Sequence, residues 1–389
     1  MSLLLDALFS SVALSHFAVD LLNGQRAVIL TFLSVPLGLT NTALGFFSTL
    51  YVFAGAIFQP VFGFFADRLG SRWVIPGGVL WMAFFFSLAL ITPGPLALWL
   101  LVLAAMGSAA FHPAGTMQAV LQSRIHFEGR ETTSTAYFFV FGQTGNFLGP
   151  VVAGPVLDRF GLVGLLWLVG LVGVIGLNAA KQLGIGALYL PSTLSPGGNG
   201  TYTMGFERSK GAWPVLTFAL VAAFQAWSQQ NMITYVPKYL SDLGQSAGVY
   251  GPIAAMFLGG SAFGIGLGGS LADRFGKRRV AATSLALASI PLYLVSRVGW
   301  SPWLYILIPL AGVLTGAVHS ILVVLAQRII PGGMALASGL ILGFMFSCGA
   351  LGTLLCGYIA DQWGFLPVFQ LTALIALLAS VLALSLQKN

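Results

Sequence analysis

Four polar residues interrupt a long apolar run near the start of the chain: His16, Asp20, Asn23 and Arg26. On a helix turning about 100° per residue they fall near 0°, 40°, −20° and −80°, a single arc of about 120°. His16 and Asp20 are four apart, so their side chains can hydrogen-bond across one turn. Histidine changes charge near neutral pH. A carboxylate beside it has two states: protonated, it is neutral; deprotonated, it pairs with Arg26 or with an incoming cation. The chemistry implied is reversible proton binding in competition with another charge.

A second group lies further on, in Gly107-Ser-Ala-Ala-Phe111-His112-Pro113-Ala-Gly115. His112 precedes a proline, where a helical ladder is interrupted and polar groups become available. His319 follows 207 positions later (319 − 112), close to half the chain. A third run, Gln225, Ser228, Gln229, Gln230, Asn231, Thr234 and Tyr235, is polar without being acidic. The bland alternative is a polar clamp between helices. For the first arc, several titratable groups on one face favour a functional site instead.

The elements that must carry these residues are membrane helices. The chain has 389 residues, of which 57% are hydrophobic and 7% charged, against about 25% charged in soluble domains. Apolar runs of roughly 20 residues recur throughout, as bilayer-spanning helices require, and they are continuous rather than alternating, which excludes an outer-membrane barrel. Twelve spans are expected: Leu4–Thr31, Asn41–Ala66, Trp73–Ile91, Pro95–Ser123, Thr133–Leu157, Gly161–Lys181, Pro214–Leu240, Tyr250–Ala272, Val280–Arg297, Pro302–Arg328, Met334–Ala360 and Gly364–Leu386. No cleavable leader is expected, because no basic stretch precedes the first run. Cys348 and Cys356 share one apolar segment, so neither a disulfide framework nor a zinc site follows from them. No metal, cofactor or catalytic residue is expected.

Loop charges set the orientation. Arg68, Arg72, Arg124, Arg130, Lys181, Arg208, Lys210, Arg274, Lys277, Arg278, Arg279, Arg328 and Lys388 fall on one side; Arg26, Arg159, Lys238 and Arg297 fall on the other. Thirteen against four places both termini in the cytoplasm of a bacterial or archaeal cytoplasmic membrane. The +7 net charge is then orientation and contact with anionic headgroups, not a nucleic-acid footprint. The long polar stretch 189–212 reads as a cytoplasmic linker between an N-terminal bundle, 1–188, and a C-terminal bundle, 213–389.

The two halves are copies. Gly63-Phe-Phe-Ala-Asp67-Arg68-Leu-Gly70-Ser-Arg72 recurs as Gly269-Ser-Leu-Ala-Asp273-Arg274-Phe-Gly276-Lys-Arg278, displaced by 206 (269 − 63). Fainter copies, Gly154…Asp158…Gly161 and Gly357…Asp361…Gly364, lie 203 apart (357 − 154). Internal repeats of this kind mark a duplicated architecture. Each copy puts an aspartate at a helix C-terminus, an unfavourable place for an anion without a partner. Arginine or the N-terminus of a neighbouring helix would supply one. The leading glycine permits close helix approach, and the trailing glycine suits a left-handed helix end.

Twelve spans with this loop after the second and the eighth resemble the major facilitator superfamily over essentially the whole chain. The resemblance implies two six-helix bundles that alternate access, with Gly63, Asp67, Arg68, Gly70, Arg72, Gly269, Asp273, Arg274, Gly276 and Arg278 as a cytoplasmic latch. Trp73 stands where a second basic residue is common. In the fifth span, Gly145, Gly149, Pro150 and Gly154 resemble the antiporter signature of drug-efflux members, with Ala153 replacing one glycine. Ser15-His16-x-x-x-Asp20, Phe111-His112-Pro113-x-Gly115 and Ala326-Gln327…Pro331-Gly332…Ser338-Gly339 resemble the fosmidomycin-resistance branch. Arg328 and Arg26 depart from that branch, and the fourth-span arginine of many drug–proton antiporters is absent.

The reading that follows is a monomeric secondary transporter exporting a small organic or drug-like compound in exchange for protons. Asp20, His16 and His112 would couple protons. Arg26, Asn23, Phe111, His112, Tyr137, Gln143, Trp227, Gln230, Asn231, Tyr235 and His319 would meet the substrate. The competing reading is uptake or exchange of an organic anion, a phosphonate or carboxylate, bound by Arg26 with help from Lys238, since arginine suits forked anions. An intramembrane enzyme finds no support: there is no His-Glu-x-x-His and no paired acidic motif.

Overall fold

A computed structural model of the chain describes residues 6–126, 131–186, 212–329 and 334–386. They are almost wholly helical: α1 (Ala7–Ser34), α2 (Asn41–Ile57), α3 (Gln59–Leu69), α4 (Ser71–Ile91), α5 (Leu96–His126), α6 (Glu131–Phe160), α7 (Leu166–Gly186), α8 (Ala212–Asp242), α9 (Ala247–Phe275), α10 (Lys277–Val298), α11 (Leu304–Ile329), α12 (Met334–Trp363) and α13 (Phe365–Ala383), with a 3-10 turn at Leu162–Leu165 before α7. Helices are what apolar runs must form in a bilayer, where each backbone donor needs an internal partner. Twelve spans result, because α2 and α3 together make one. The expected continuous Asn41–Ala66 span is broken at Phe58, where Pro60 at the start of α3 lacks an N–H for the ladder. Ten of the described helices are long and apolar enough to cross a membrane on length and composition alone. The two that fall short, α6 and α8, carry Gln143 and Asn146, and Gln229, Gln230, Asn231 and Lys238.

The chain divides into two compact units. The first comprises residues 1–32 and 50–199. There α4 and α5 touch backbone to backbone: a Cβ at Gly107 would lie 2.4 Å from the Gly78 carbonyl oxygen. The second comprises 33–49 and 200–389. In it Gly260, Gly264 and Gly268 line one face of α9, and a Cβ on each would meet the carbonyl oxygens of Pro309, Val313 and Ala317 at 2.3, 2.1 and 2.1 Å. Small residues four apart let two membrane helices approach this closely. Beside that seam, Val221, Leu285, Ile321, Leu322 and Met345 form an apolar core. Outward residues such as Trp81, Phe84, Trp167, Phe263 and Leu351 are exposed, as lipid-facing surfaces require.

The repeated loops end alike. Gly70, Gly161, Gly276 and Gly364 each donate their N–H to the carbonyl four residues earlier, at 2.9–3.0 Å. Their φ angles are 86°, 63°, 91° and 77°. The ψ angles correct the expectation of left-handed helical ends. Gly70 and Gly276 have ψ of 147° and 135°, and Gly161 and Gly364 have −164° and −173°. These values lie outside the left-handed helical well, in space that only glycine occupies at low cost. The duplication is thus visible in the dihedral angles: copies half a chain apart match each other more closely than copies a quarter apart.

The start of α2 belongs to the second unit. The Asp361 carboxylate, at the end of α12, accepts hydrogen bonds from the Asn41 and Thr42 N–H groups at 2.6 and 2.8 Å and from Thr42 Oγ1 at 2.5 Å. Nearby, Thr49 Oγ1 donates to the Ala350 carbonyl at 2.6 Å, and Tyr235 Oη donates to the Thr353 carbonyl at 2.6 Å. An aspartate at one helix's C-terminus therefore caps another's N-terminus, which satisfies both ends.

Candidate functional site

In the first unit, α1 and α5 converge on Asp20. His16 Nε2 stands 3.2 Å from Asp20 Oδ2, and His112 Nε2 stands 3.4 Å from Oδ1. Asn23 Nδ2 donates to Oδ1 at 2.9 Å and to Ser108 Oγ at 2.9 Å. Tyr51 Oη donates to Asn23 Oδ1 at 2.9 Å, and the Arg26 guanidinium lies over the Tyr51 ring, 5.4 Å from its centroid. The arc read from the sequence is thus assembled with His112 into one polar network.

The second nitrogen of each imidazole defines its role. His16 Nδ1 is 2.7 Å from the Phe138 carbonyl oxygen, and His112 Nδ1 is 2.8 Å from the Ser108 carbonyl oxygen. A carbonyl only accepts, so both Nδ1 atoms carry hydrogen, and both Nε2 atoms face the carboxylate. In a neutral ring that Nε2 is a bare lone pair. A proton placed on it is shared at once with Asp20. The geometry is that of two imidazoles sharing one carboxylate.

Three contacts hold the His16 ring. It stacks on Phe138, with centroids 4.0 Å apart and 27° between planes, and it tilts against Phe111 at 5.7 Å. The third is Gly142, where a Cβ would lie 2.4 Å from His16 Nε2. Below this the α6 glycines bring the two backbones together: a Cβ at Gly145 would meet the Phe17 carbonyl oxygen at 2.2 Å, and one at Gly149 the Leu21 carbonyl oxygen at 2.5 Å. Gly24 answers from α1, 2.3 Å from the Asn146 carbonyl oxygen by the same measure. Pro150 lies within α6 and Gly154 is buried. The α6 motif is thus the seat on which α1 holds His16 and Asp20.

Other residues singled out in the sequence are placed elsewhere. Phe111 is fully buried against His16, while Tyr137 and Gln143 are exposed on α6. In the second unit, Trp227 Nε1 and Asn231 Nδ2 point to Cys356 Sγ at 3.4 and 3.0 Å, and Asn231 also donates to Thr372 Oγ1 at 3.0 Å. Tyr235 and Gln230 are buried, and His319 is half-buried on α11. Lys238 pairs with Asp242 one turn away. Gly63, Gly70, Gly269 and Gly276 lie at the repeated helix ends, and Arg278 is half-buried. Arg72 lies 5.5 Å from the Trp73 ring centroid and Arg274 5.2 Å from that of Phe275; Trp73 thus offers a π face where a second basic residue was expected. The side chains of Asp67, Arg68, Asp273, Gln327, Arg328 and Ser338 lie outside the described residues, as do the linker residues 189–211. Tyr51 and Ser108 escaped the sequence reading. Ser108 lies one turn before His112 and was findable by that spacing; Tyr51 gives no local signal.

The chain matches the family described as Major Facilitator Superfamily over residues 8–241 and again over 218–388. It is 25% identical over 378 residues to the fosmidomycin resistance protein of Escherichia coli (strain K12), covering 95% of this chain and 90% of that protein. It is 26% identical over 377 residues to an uncharacterized MFS-type transporter, YfnC, of Bacillus subtilis (strain 168), covering 92% and 87%. Among solved structures, a bacterial homologue of the human lysosomal transporter Spinster, in an inward-facing and unoccupied conformation, superposes with a TM-score of 0.76 at 13% identity, covering 97% of this chain and 95% of that one. The nucleoside transporter NupG superposes with a TM-score of 0.74 at 15% identity, covering 97% and 98%. At such identities the structural likeness establishes the fold.

Proposed function

We propose that this chain, which belongs to the Major Facilitator Superfamily and is therefore a multi-pass membrane transporter rather than an enzyme, exports a small organic compound in exchange for protons. The observation that carries the reading is the convergence of His16 and His112 on Asp20. Intramembrane ionisable residues are costly and mark ion or substrate pathways. With both rings neutral the triad carries one negative charge; each proton loaded on an Nε2 raises that by one. A substrate that binds beside the triad therefore meets a different charge on each side of the membrane, where proton activity differs. A substrate that binds only while the triad is unprotonated, and leaves as protons load, is exchanged for those protons, which is antiport.

Alternating access would move two halves, residues 1–188 and 213–389, joined by 189–212, with both termini cytoplasmic and the chain working as a monomer. The Gly63 and Gly269 loops would latch the cytoplasmic side. The Asp361 cap on α2 would serve the opposite face, closing when its carboxylate finds the Asn41 and Thr42 N–H groups. The substrate class follows the fosmidomycin-resistance relative: small, amphipathic or anionic molecules, fosmidomycin being the first to test. A ligand-dependent thermal-shift screen with cationic, anionic and neutral compounds, followed by flux after a pH jump, tests this. Proton-dependent stabilisation by one class supports it; hits whose flux ignores pH refute antiport.

Arg26 favours a second reading, because its buried guanidinium sits on α1 nearly three turns from His16, held over Tyr51. There it would receive the anionic group of an imported phosphonate or carboxylate. Arg26→Ala tests the receptor: loss confined to anionic ligands supports an anion held by Arg26, whereas an equal loss for all ligands opposes it, and the direction of flux separates uptake from export.

A further inference from the structure

Three acceptors converge at the triad. With Nδ1–H of each imidazole committed to a backbone carbonyl, the neutral rings present two lone pairs to a carboxylate that has only lone pairs of its own. Such an arrangement holds together only around positive charge. Protons on Nε2 are one way to supply it. The dimensions fit a second. His16 Nε2, His112 Nε2 and an Asp20 oxygen all lie within 4.8 Å of one another, with His16 Nε2 3.2 Å from Oδ2 and His112 Nε2 3.4 Å from the other oxygen, Oδ1. Ligand arms of about 2.0–2.1 Å in tetrahedral geometry give edges of roughly 3.3–3.4 Å.

We infer that His16, Asp20 and His112 form a binding site for a divalent first-row transition-metal ion of the Zn2+ or Co2+ class, leaving at least one coordination position open. Two imidazoles and one carboxylate select that class over Mg2+ and Ca2+, which demand oxygen ligands. The surroundings match a metal site's outer layer: each ligating histidine donates its other N–H to a main-chain carbonyl, and the carboxylate accepts from Asn23 Nδ2. Phe138 and Phe111 wall one side. His16 is almost fully buried, whereas the His112 side chain is 24% exposed, which leaves an approach from that side. An ion of charge +2 brings the triad to the same net charge as two protons on its histidines, so metal and protons exclude one another.

The site is tested on purified full-length protein without a polyhistidine tag, in detergent, with no proton gradient and no substrate. Co2+ titration should show one ion per chain and visible d–d bands of a four- or five-coordinate nitrogen–oxygen site. Zn2+ should displace it, and lowering the pH by one unit should weaken the apparent affinity up to about a hundredfold as both ligands protonate. His112→Gln and Asp20→Asn should each weaken Co2+ binding at least tenfold and change the bands, with thermal unfolding of each variant confirming that it is folded. His319→Gln and His126→Gln should leave the bands unchanged. No binding at millimolar Co2+, or binding and bands unaltered in His112→Gln and Asp20→Asn, would overturn the inference. Because the readout needs neither gradient nor substrate, its failure leaves the antiport proposal standing, and failure of antiport leaves the metal site standing.

Discussion

Gly142→Ala perturbs the site without altering any titratable group. A Cβ there would lie 2.4, 2.5 and 2.7 Å from three atoms of the His16 ring, where ordinary contact begins near 3.4 Å. The ring must therefore retreat by about 1 Å. It cannot do so freely, because Phe138 stacks on it and the Phe138 carbonyl holds Nδ1. A 1 Å shift takes Nε2 from 3.2 Å to roughly 4 Å from Asp20, beyond hydrogen-bond reach. Losing a hydrogen bond to a charged group costs about 1.5–3 kcal/mol, which corresponds to roughly a ten- to hundredfold drop in any rate that depends on it. The expected result in proteoliposomes is that proton-driven flux falls by that factor while gradient-free substrate exchange persists. Gly173→Ala on α7, where nothing lies within 4 Å, is the control and should leave both unchanged. Wild-type proton coupling in a folded Gly142→Ala protein would refute the claim that α6 seats His16 for function.

Gly145→Ala drives a Cβ into the Phe17 main chain rather than a side chain, so it should cost about 1–3 kcal/mol of stability, read as a lower thermal-unfolding midpoint, with exchange and coupling reduced together. Gly364→Ala places a side chain in glycine-only backbone space and should destabilise by about 1–3 kcal/mol; an unchanged midpoint would show that the end of α12 relaxes. Asp361→Ala removes the cap on Asn41 and Thr42 and should cost about 1 kcal/mol, with faster amide exchange confined to the first turn of α2.

Much of the architecture was legible because it repeats. Four Gly-x-x-x-Asp-x-x-Gly segments at quarter spacing disclosed the duplication, and apolar run lengths disclosed the spans. The His16–Asp20–Asn23–Arg26 arc was legible because helical periodicity acts within one segment. What the sequence hid is contact between segments. Nothing near Tyr51 announces that its hydroxyl reaches Asn23, and nothing near Phe138 announces that its carbonyl fixes the tautomer of His16. The α6 glycines read as a signature of transport type; their physical work, letting α1 and α6 touch, needed the partner helix to be seen. Asp361 looked like a faint echo of the latch, yet its carboxylate caps the N-terminus of α2.

We propose that a proton held by Asp20 and its histidines drives export. The decisive measurement is Asp20→Asn in proteoliposomes with an imposed pH gradient and no membrane potential, using the best ligand from the thermal-shift screen. The variant should exchange substrate without a gradient but show no net movement driven by one. Gradient-driven transport at the wild-type rate by Asp20→Asn would rule out this role for Asp20.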